Sequence, residues 1–166
     1  MVRPKWIIIA ALIIGLGIFG GYHFLQSDKR KVKKQFQRLS EWVSKEPGED
    51  RLKWMLKVQK IRRLFADSCT VTDESRSLSR TYSPDEIHAH AVSALSQCSK
   101  LTLSFHDFDI TLVREGKAEV LLTAMVKGKW HSGEDLQDVY EVACALREVE
   151  KEWLFKGIKV IEVLKR

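Results

Sequence analysis

The chain has 166 residues, 30% of them charged and 45% hydrophobic, and a formal net charge of +6. Positive charge is concentrated near the N-terminus: residues 29 to 63 hold 13 Lys or Arg against 4 acids, whereas residues 64 to 166 hold 13 against 17. No helix-turn-helix, zinc knuckle or aromatic RNA-binding motif accompanies that excess, which argues against nucleic acid as a partner.

The first element expected is a membrane span. Ile7 to Leu25 carries no charged residue and follows Arg3 and Lys5. At about 1.5 Å of rise per residue such a run covers a hydrocarbon core of about 30 Å. A cleaved signal would end in small residues, but Tyr22, His23, Phe24 and Leu25 close this one, so an uncleaved anchor is expected. The chain therefore divides into a tail and anchor, residues 1 to 27, and one folded domain, residues 28 to 166. Lys29, Arg30, Lys31, Lys33 and Lys34 follow the anchor at once. Each contributes about 1 kcal/mol of attraction near a negative surface, so anionic lipid is the partner the pattern favours; a solvated helix face is the alternative. By the positive-inside count this cluster holds the domain in the cytoplasm, while the order of basic tip, apolar run and domain resembles an export signal. The expectation is an exported domain on the periplasmic side, with the cytoplasmic orientation as the alternative.

Val32, Phe36, Leu39 and Val43 recur at helical spacing opposite basic residues, predicting an amphipathic helix that continues out of the membrane. Pro47 and Gly48 end it. A second helix follows, with Trp54, Val58, Ile61 and Phe65 on one face and Leu52, Met55, Leu56 and Leu64 widening it, a breadth that predicts burial between other elements. Residues 66 to 82 lose helical periodicity, and Cys69 to Thr72 read as a short strand, followed by a loop or a second short strand. Ser83-Pro84-Asp85-Glu86 then places a capping serine before a proline, with glutamate three residues on, which starts a third helix. Its predicted buried stripe is Ile87, Ala91, Ala94, Leu95 and Cys98.

From Leu101 the period becomes two. Four long strands are predicted, joined by turns at Glu115-Gly116, His131 to Glu134 and Glu150 to Glu152, as an antiparallel meander. In the first of them the apolar phase slips between Phe105 and Phe108, which requires a bulge near His106 and Asp107. Cys69, Cys98 and Cys144 are far apart and lack ligand-spaced neighbours, so no zinc site is expected and the three read as small buried residues.

This order of elements, together with the Glu152-Trp153 pattern after the last turn, resembles the nuclear transport factor 2-like superfamily over about residues 30 to 164. The resemblance implies an α+β cone domain: three helices packed on a curved, mainly antiparallel sheet of four long strands plus short strands, with a hollow between them and an outer sheet face suited to homodimerisation. It implies no activity, because the fold hosts enzymes and inert scaffolds alike. An isomerase or dehydratase of this class needs a desolvated base and a donor aimed at the developing oxyanion. Tyr82, His106, Asp107 and Tyr140 are the pocket candidates for such work, though none matches a catalytic motif, and no metal or cofactor is expected. The functional expectation is a membrane-anchored, non-enzymatic binding or assembly domain that dimerises or takes a partner protein or small apolar ligand. The alternatives are an isomerase or dehydratase-like enzyme using an acidic or His base, and a basic adaptor at the membrane surface.

Overall fold

In the computed structural model, the described residues are 4–114 and 116–165, with side chains described from Phe24 to Leu164. Most of the apolar run Ile7 to Leu25, and with it the expected anchor, lies outside the residues whose side chains are described. Among the described residues no helix is long and apolar enough to cross a membrane. The first helix, α1 (Pro4–Val43), is unbroken across the boundary between run and domain. Of its predicted stripe Val32 is fully enclosed and Phe36 is 1% exposed, while Leu39 and Val43 are partly buried against the core. Lys29, Arg30, Lys33 and Lys34 face solvent on the other side.

A turn at Pro47 and Gly48 reverses the chain into α2 (Arg51–Gln59), whose first turn is held by the Asp50 carboxylate accepting from the Leu52 amide at 3.1 Å. This helix is shorter and less covered than its pattern implied. Trp54 and Val58 are buried, and a 3-10 turn at Lys60–Leu64 carries Ile61 and Leu64 inward. Leu52, Met55 and Leu56, however, stay exposed, so α2 is not sandwiched. Phe65 belongs not to the helix but to the first residue of β1 (Phe65–Asp73), longer than the strand foreseen at Cys69 to Thr72. β2 (Leu78–Tyr82) pairs with it antiparallel.

The capping box at Ser83 forms as its residues dictate: the Ser83 hydroxyl accepts from the Glu86 amide at 3.3 Å, and the Glu86 carboxylate accepts from the Ser83 amide at 2.8 Å. α3 (Pro84–Ser96) follows. Of its predicted stripe Leu95 is buried, and Ile87 and Ala91 pack on the core together with Val92. Ala94 is exposed, and Cys98 is buried from a strand rather than the helix.

β3 (Cys98–Arg114), β4 (Lys117–Trp130), β5 (Asp135–Val149) and β6 (Glu152–Lys165) form the meander with the predicted turns. The sheet order is β2-β1-β6-β5-β4-β3, mixed because β1 runs parallel to β6. The bulge in β3 is present: register shifts between His106 and Asp109, and Asp107 takes a left-handed φ of 55°. That extra residue returns Phe108, Ile110 and Leu112 to the face of Phe105, against the core. Further shifts in the β5–β6 pairing bend the sheet around α1.

The core is built on Phe36. Its ring stands edge-on to Phe105, Phe108 and Phe155, with centroids 5.3, 5.4 and 4.9 Å away. Around it close Val120 and Leu122 of β4, Cys144 and Leu146 of β5, and Trp153 of β6. The Trp153 indole N–H is buried with no acceptor among the described residues, a desolvation cost of about 1–3 kcal/mol that the surrounding packing offsets. Phe36→Ala should lower unfolding free energy by about 3–5 kcal/mol, whereas Lys34→Ala on the solvent side should change it by less than about 0.5 kcal/mol. Urea unfolding of the detergent-solubilised chain checks this; equal effects would mean that Phe36 is not the keystone of the core.

Candidate functional site

The four pocket candidates do not converge. Tyr82 ends β2 at one edge of the sheet, where its ring meets His90 edge-on at 5.3 Å and the Arg80 guanidinium at 5.3 Å. His106 and Asp107 lie in β3 at the opposite edge; both are exposed, and the His106 imidazole bonds the Ser104 hydroxyl at 3.1 Å. Tyr140 sits on β5, packed against the core, and its hydroxyl donates to the Asp138 carboxylate at 2.9 Å. Asp138 was legible as its companion, since residues two apart on a strand share a face.

The hollow of the cone is occupied. Phe36, Phe105, Phe108, Phe65 and Phe155 fill the space between α1 and the sheet; the ionisable side chains within the buried cluster are the thiols of Cys69 and Cys144, while the buried Asp28 and Lys45 lie outside it. Burial pushes the Cys144 thiol up to about 12 and the Cys69 thiol up to about 11 from an ordinary 9.0, and it raises Cys98 as well. All three are free and buried. Among the described residues no group of His, Cys, Asp and Glu is placed to hold a metal ion.

Sequence reasoning missed the buried lysine. Lys45 is 9% exposed and pairs antiparallel with Leu101 through backbone bonds in both directions. Its ammonium donates to the carbonyls of Leu95 at 3.1 Å and Cys98 at 2.7 Å, and it lies 4.9 Å from the centroid of the Trp54 ring. Leu95 is in the last turn of α3, so Lys45 supplies the positive charge and the donors that a helix C-terminus lacks. No pattern around Ser44-Lys45-Glu46 announces this role, because the partners are main-chain atoms 50 and 53 residues away.

Among the concavities that the described residues form outside the core, two lie on the folded domain away from the start of α1. One, of about 400 Å³, runs across the face of the sheet opposite the helices; Thr70, Thr111, Ala143, Ala145 and Gly157 are among its lining residues, with Asp109 and Glu119 toward β3 and Lys159 toward β6. The other, of about 590 Å³, opens between the Glu46 to Gly48 turn, Trp54 and Met55 of α2, and His131.

The helices, the mixed sheet and the bulged edge together form an α+β cone of cystatin-like fold. Solved structures share it: the Kfla4162 protein from Kribbella flavida is 13% identical, with 85% of this chain and 93% of that one covered at a TM-score of 0.68. A type 2 hexachlorocyclohexane dehydrochlorinase, LinA, is 10% identical, with 84% and 87% covered at 0.66. An uncharacterised protein with a cystatin-like fold from Caulobacter vibrioides is 10% identical, with 82% and 89% covered at 0.61. At such identities the likeness is one of fold. No protein-family model matches the sequence, and no curated protein matches it.

Two predictions follow from the buried groups. Lys45→Met keeps the length of the side chain but leaves two carbonyls without their donor; it should cost about 2–3 kcal/mol in urea unfolding, and a loss below about 0.5 kcal/mol would show the carbonyls to be satisfied otherwise. Cys69 and Cys144 should resist a thiol reagent at about pH 8 until the chain unfolds. Because their folded pKa values are raised, stability should hold below about pH 9 and decline as pH rises toward 11 and 12. Rapid labelling of the native chain would contradict this.

Proposed function

We propose that this chain is a single-pass, membrane-anchored, non-enzymatic binding or assembly domain. The observation that carries this reading is the filled hollow: the space in which an enzyme of this fold needs a base and a substrate is occupied by Phe36 and the rings around it. The Ile7 to Leu25 run anchors it, the folded domain stands on the exported side, and Lys29, Arg30, Lys31, Lys33 and Lys34 meet anionic headgroups.

The partner is a second copy of the chain, met through the outer face of the sheet. There the groove offers small residues for close approach, with Leu121 exposed beside them. Its acidic side toward β3 and basic side toward β6 are mutually complementary when two copies meet about a two-fold axis. The enzyme alternative would use Tyr140 as donor beside Asp138, the half-buried acid and phenol pair on the helix-covered face.

Light scattering of the detergent-solubilised chain should give a dimer, and Leu121→Glu should raise its dissociation constant at least tenfold, about 1.4 kcal/mol, with an unchanged circular dichroism spectrum. A chain that is monomeric at every concentration would sink the homodimer. A rise in melting temperature of the unmodified chain with a small apolar ligand, abolished by Tyr140→Phe, would favour the enzyme instead.

A further inference from the structure

The direction of β3 along α1 locates the end of the domain that faces the bilayer. The Ser40 hydroxyl donates to the Leu103 carbonyl; four residues earlier, Phe36 meets Phe105 and Phe108. The Lys33 ammonium then lies 5.1 Å from the centroid of the Phe108 ring, and Leu25, Gln26 and Lys29 face Asp109 to Leu112 across a shared cavity. As α1 descends toward the apolar run, β3 therefore descends beside it. The next residues, Val113 and Arg114, bring the strand to the level at which the run ends.

The β5–β6 turn stands at the same end. Lys117 pairs with Arg147, and the Glu148 amide donates to the Gly116 carbonyl at 2.9 Å, so the β3–β4 and β5–β6 tips are side by side. Large apolar side chains are exposed there: Phe24 at 62%, Leu25 at 51%, Val113 at 49% and Val149 at 42%. Glu150 and Lys151 both hold left-handed φ, 50° and 66°, in a two-residue turn that ordinarily selects Asn-Gly. Among the described residues Arg114, Lys117, Arg147 and Lys151 form no ion pair. Glu148, Glu150 and Glu152 interleave with them, so the tips themselves offer little net charge, and the positive field at this level comes from Lys29, Arg30, Lys33 and Lys34.

We propose that the two hairpin tips are a second membrane contact: Val113 and Val149 enter the headgroup region of the bilayer that holds the apolar run, seating the domain directly on the lipid surface. The proposal rests on the anchor reading. The occupant is the bilayer because the apolar run ends at the height of the tips and the exposed apolar side chains at this end continue it sideways. The other exposed apolar cluster, Leu52, Met55 and Leu56 on α2, serves as the internal control. Lys57 of α2 bonds the Ser44 carbonyl at 2.9 Å, placing that cluster about 28 Å of helix beyond Leu25.

The test uses the full chain reconstituted in vesicles of phosphatidylcholine with a minority of phosphatidylglycerol. Single nitroxide labels are placed on Val113→Cys, Val149→Cys and Leu52→Cys, the native thiols being buried. The ratio of collision with oxygen to collision with a water-soluble nickel chelate is measured at each, and alkaline carbonate extraction is run in parallel. Retention in the membrane with a ratio several-fold higher at 113 and 149 than at 52 is the expected result. Retention with all three labels equally in water would overturn the lipid contact and leave the anchor standing. Release by carbonate would overturn the anchor and the contact with it.

Discussion

Everything in this fold depends on one aromatic ring. Phe36 is the side chain around which the sheet closes, and it is supplied by the same helix that emerges from the apolar N-terminal run. The edge-on contacts with Phe105, Phe108 and Phe155 tie that helix to the bulged edge strand and to the last strand. Such contacts prefer offset or perpendicular geometry and add to the area each ring buries. Removing the N-terminal helix would thus remove the centre of the core, not a dispensable stalk. The curvature follows from the same demand: without the bulge at Asp107 the second half of β3 would turn Phe108, Ile110 and Leu112 away from Phe36.

The proposed non-enzymatic reading rests on how the hollow is filled. A catalytic cone needs room for a substrate and a base whose pKa is shifted by its surroundings. Here the shifted groups deep in the core are thiols held neutral, and the buried cation is spent on the carbonyls that end α3. Among the described residues, one concavity lies on the outer sheet face and another beside the Glu46 to Gly48 turn.

Much of this architecture was legible in the residues. Period-two alternation marked all four long strands; the slip of phase between Phe105 and Phe108 demanded the bulge; and Ser83-Pro84 with Glu86 fixed the start of α3. The failures have a common cause. Leu52, Met55 and Leu56 look like core by type, yet nothing in their spacing says whether a neighbour covers them, and none does so fully. Phe65 fits the helical stripe of Trp54, Val58 and Ile61, but the parallel pairing of β1 with β6 draws it into the sheet, opposite Phe155. The candidate site was harder still, because Tyr82 ended on one edge of a six-stranded sheet, His106 and Asp107 on the other, and Tyr140 on an interior strand between them. Lys45 was invisible because its partners are main-chain carbonyls, which have no sequence signature.

The contact between Phe36 and Phe155 joins nearly the first and nearly the last structured segment of the domain. A ribosome delivers α1 first and β6 last, so for most of synthesis the helix has emerged while the side chains that enclose it do not yet exist. Long-range pairings of this kind make folding slow. β1 cannot find its parallel neighbour, nor β5 its second antiparallel one, before β6 is free. The stripe of Val32, Phe36 and Leu39 then stays an open hydrophobic surface until β6 has emerged, and the core closes in one late step.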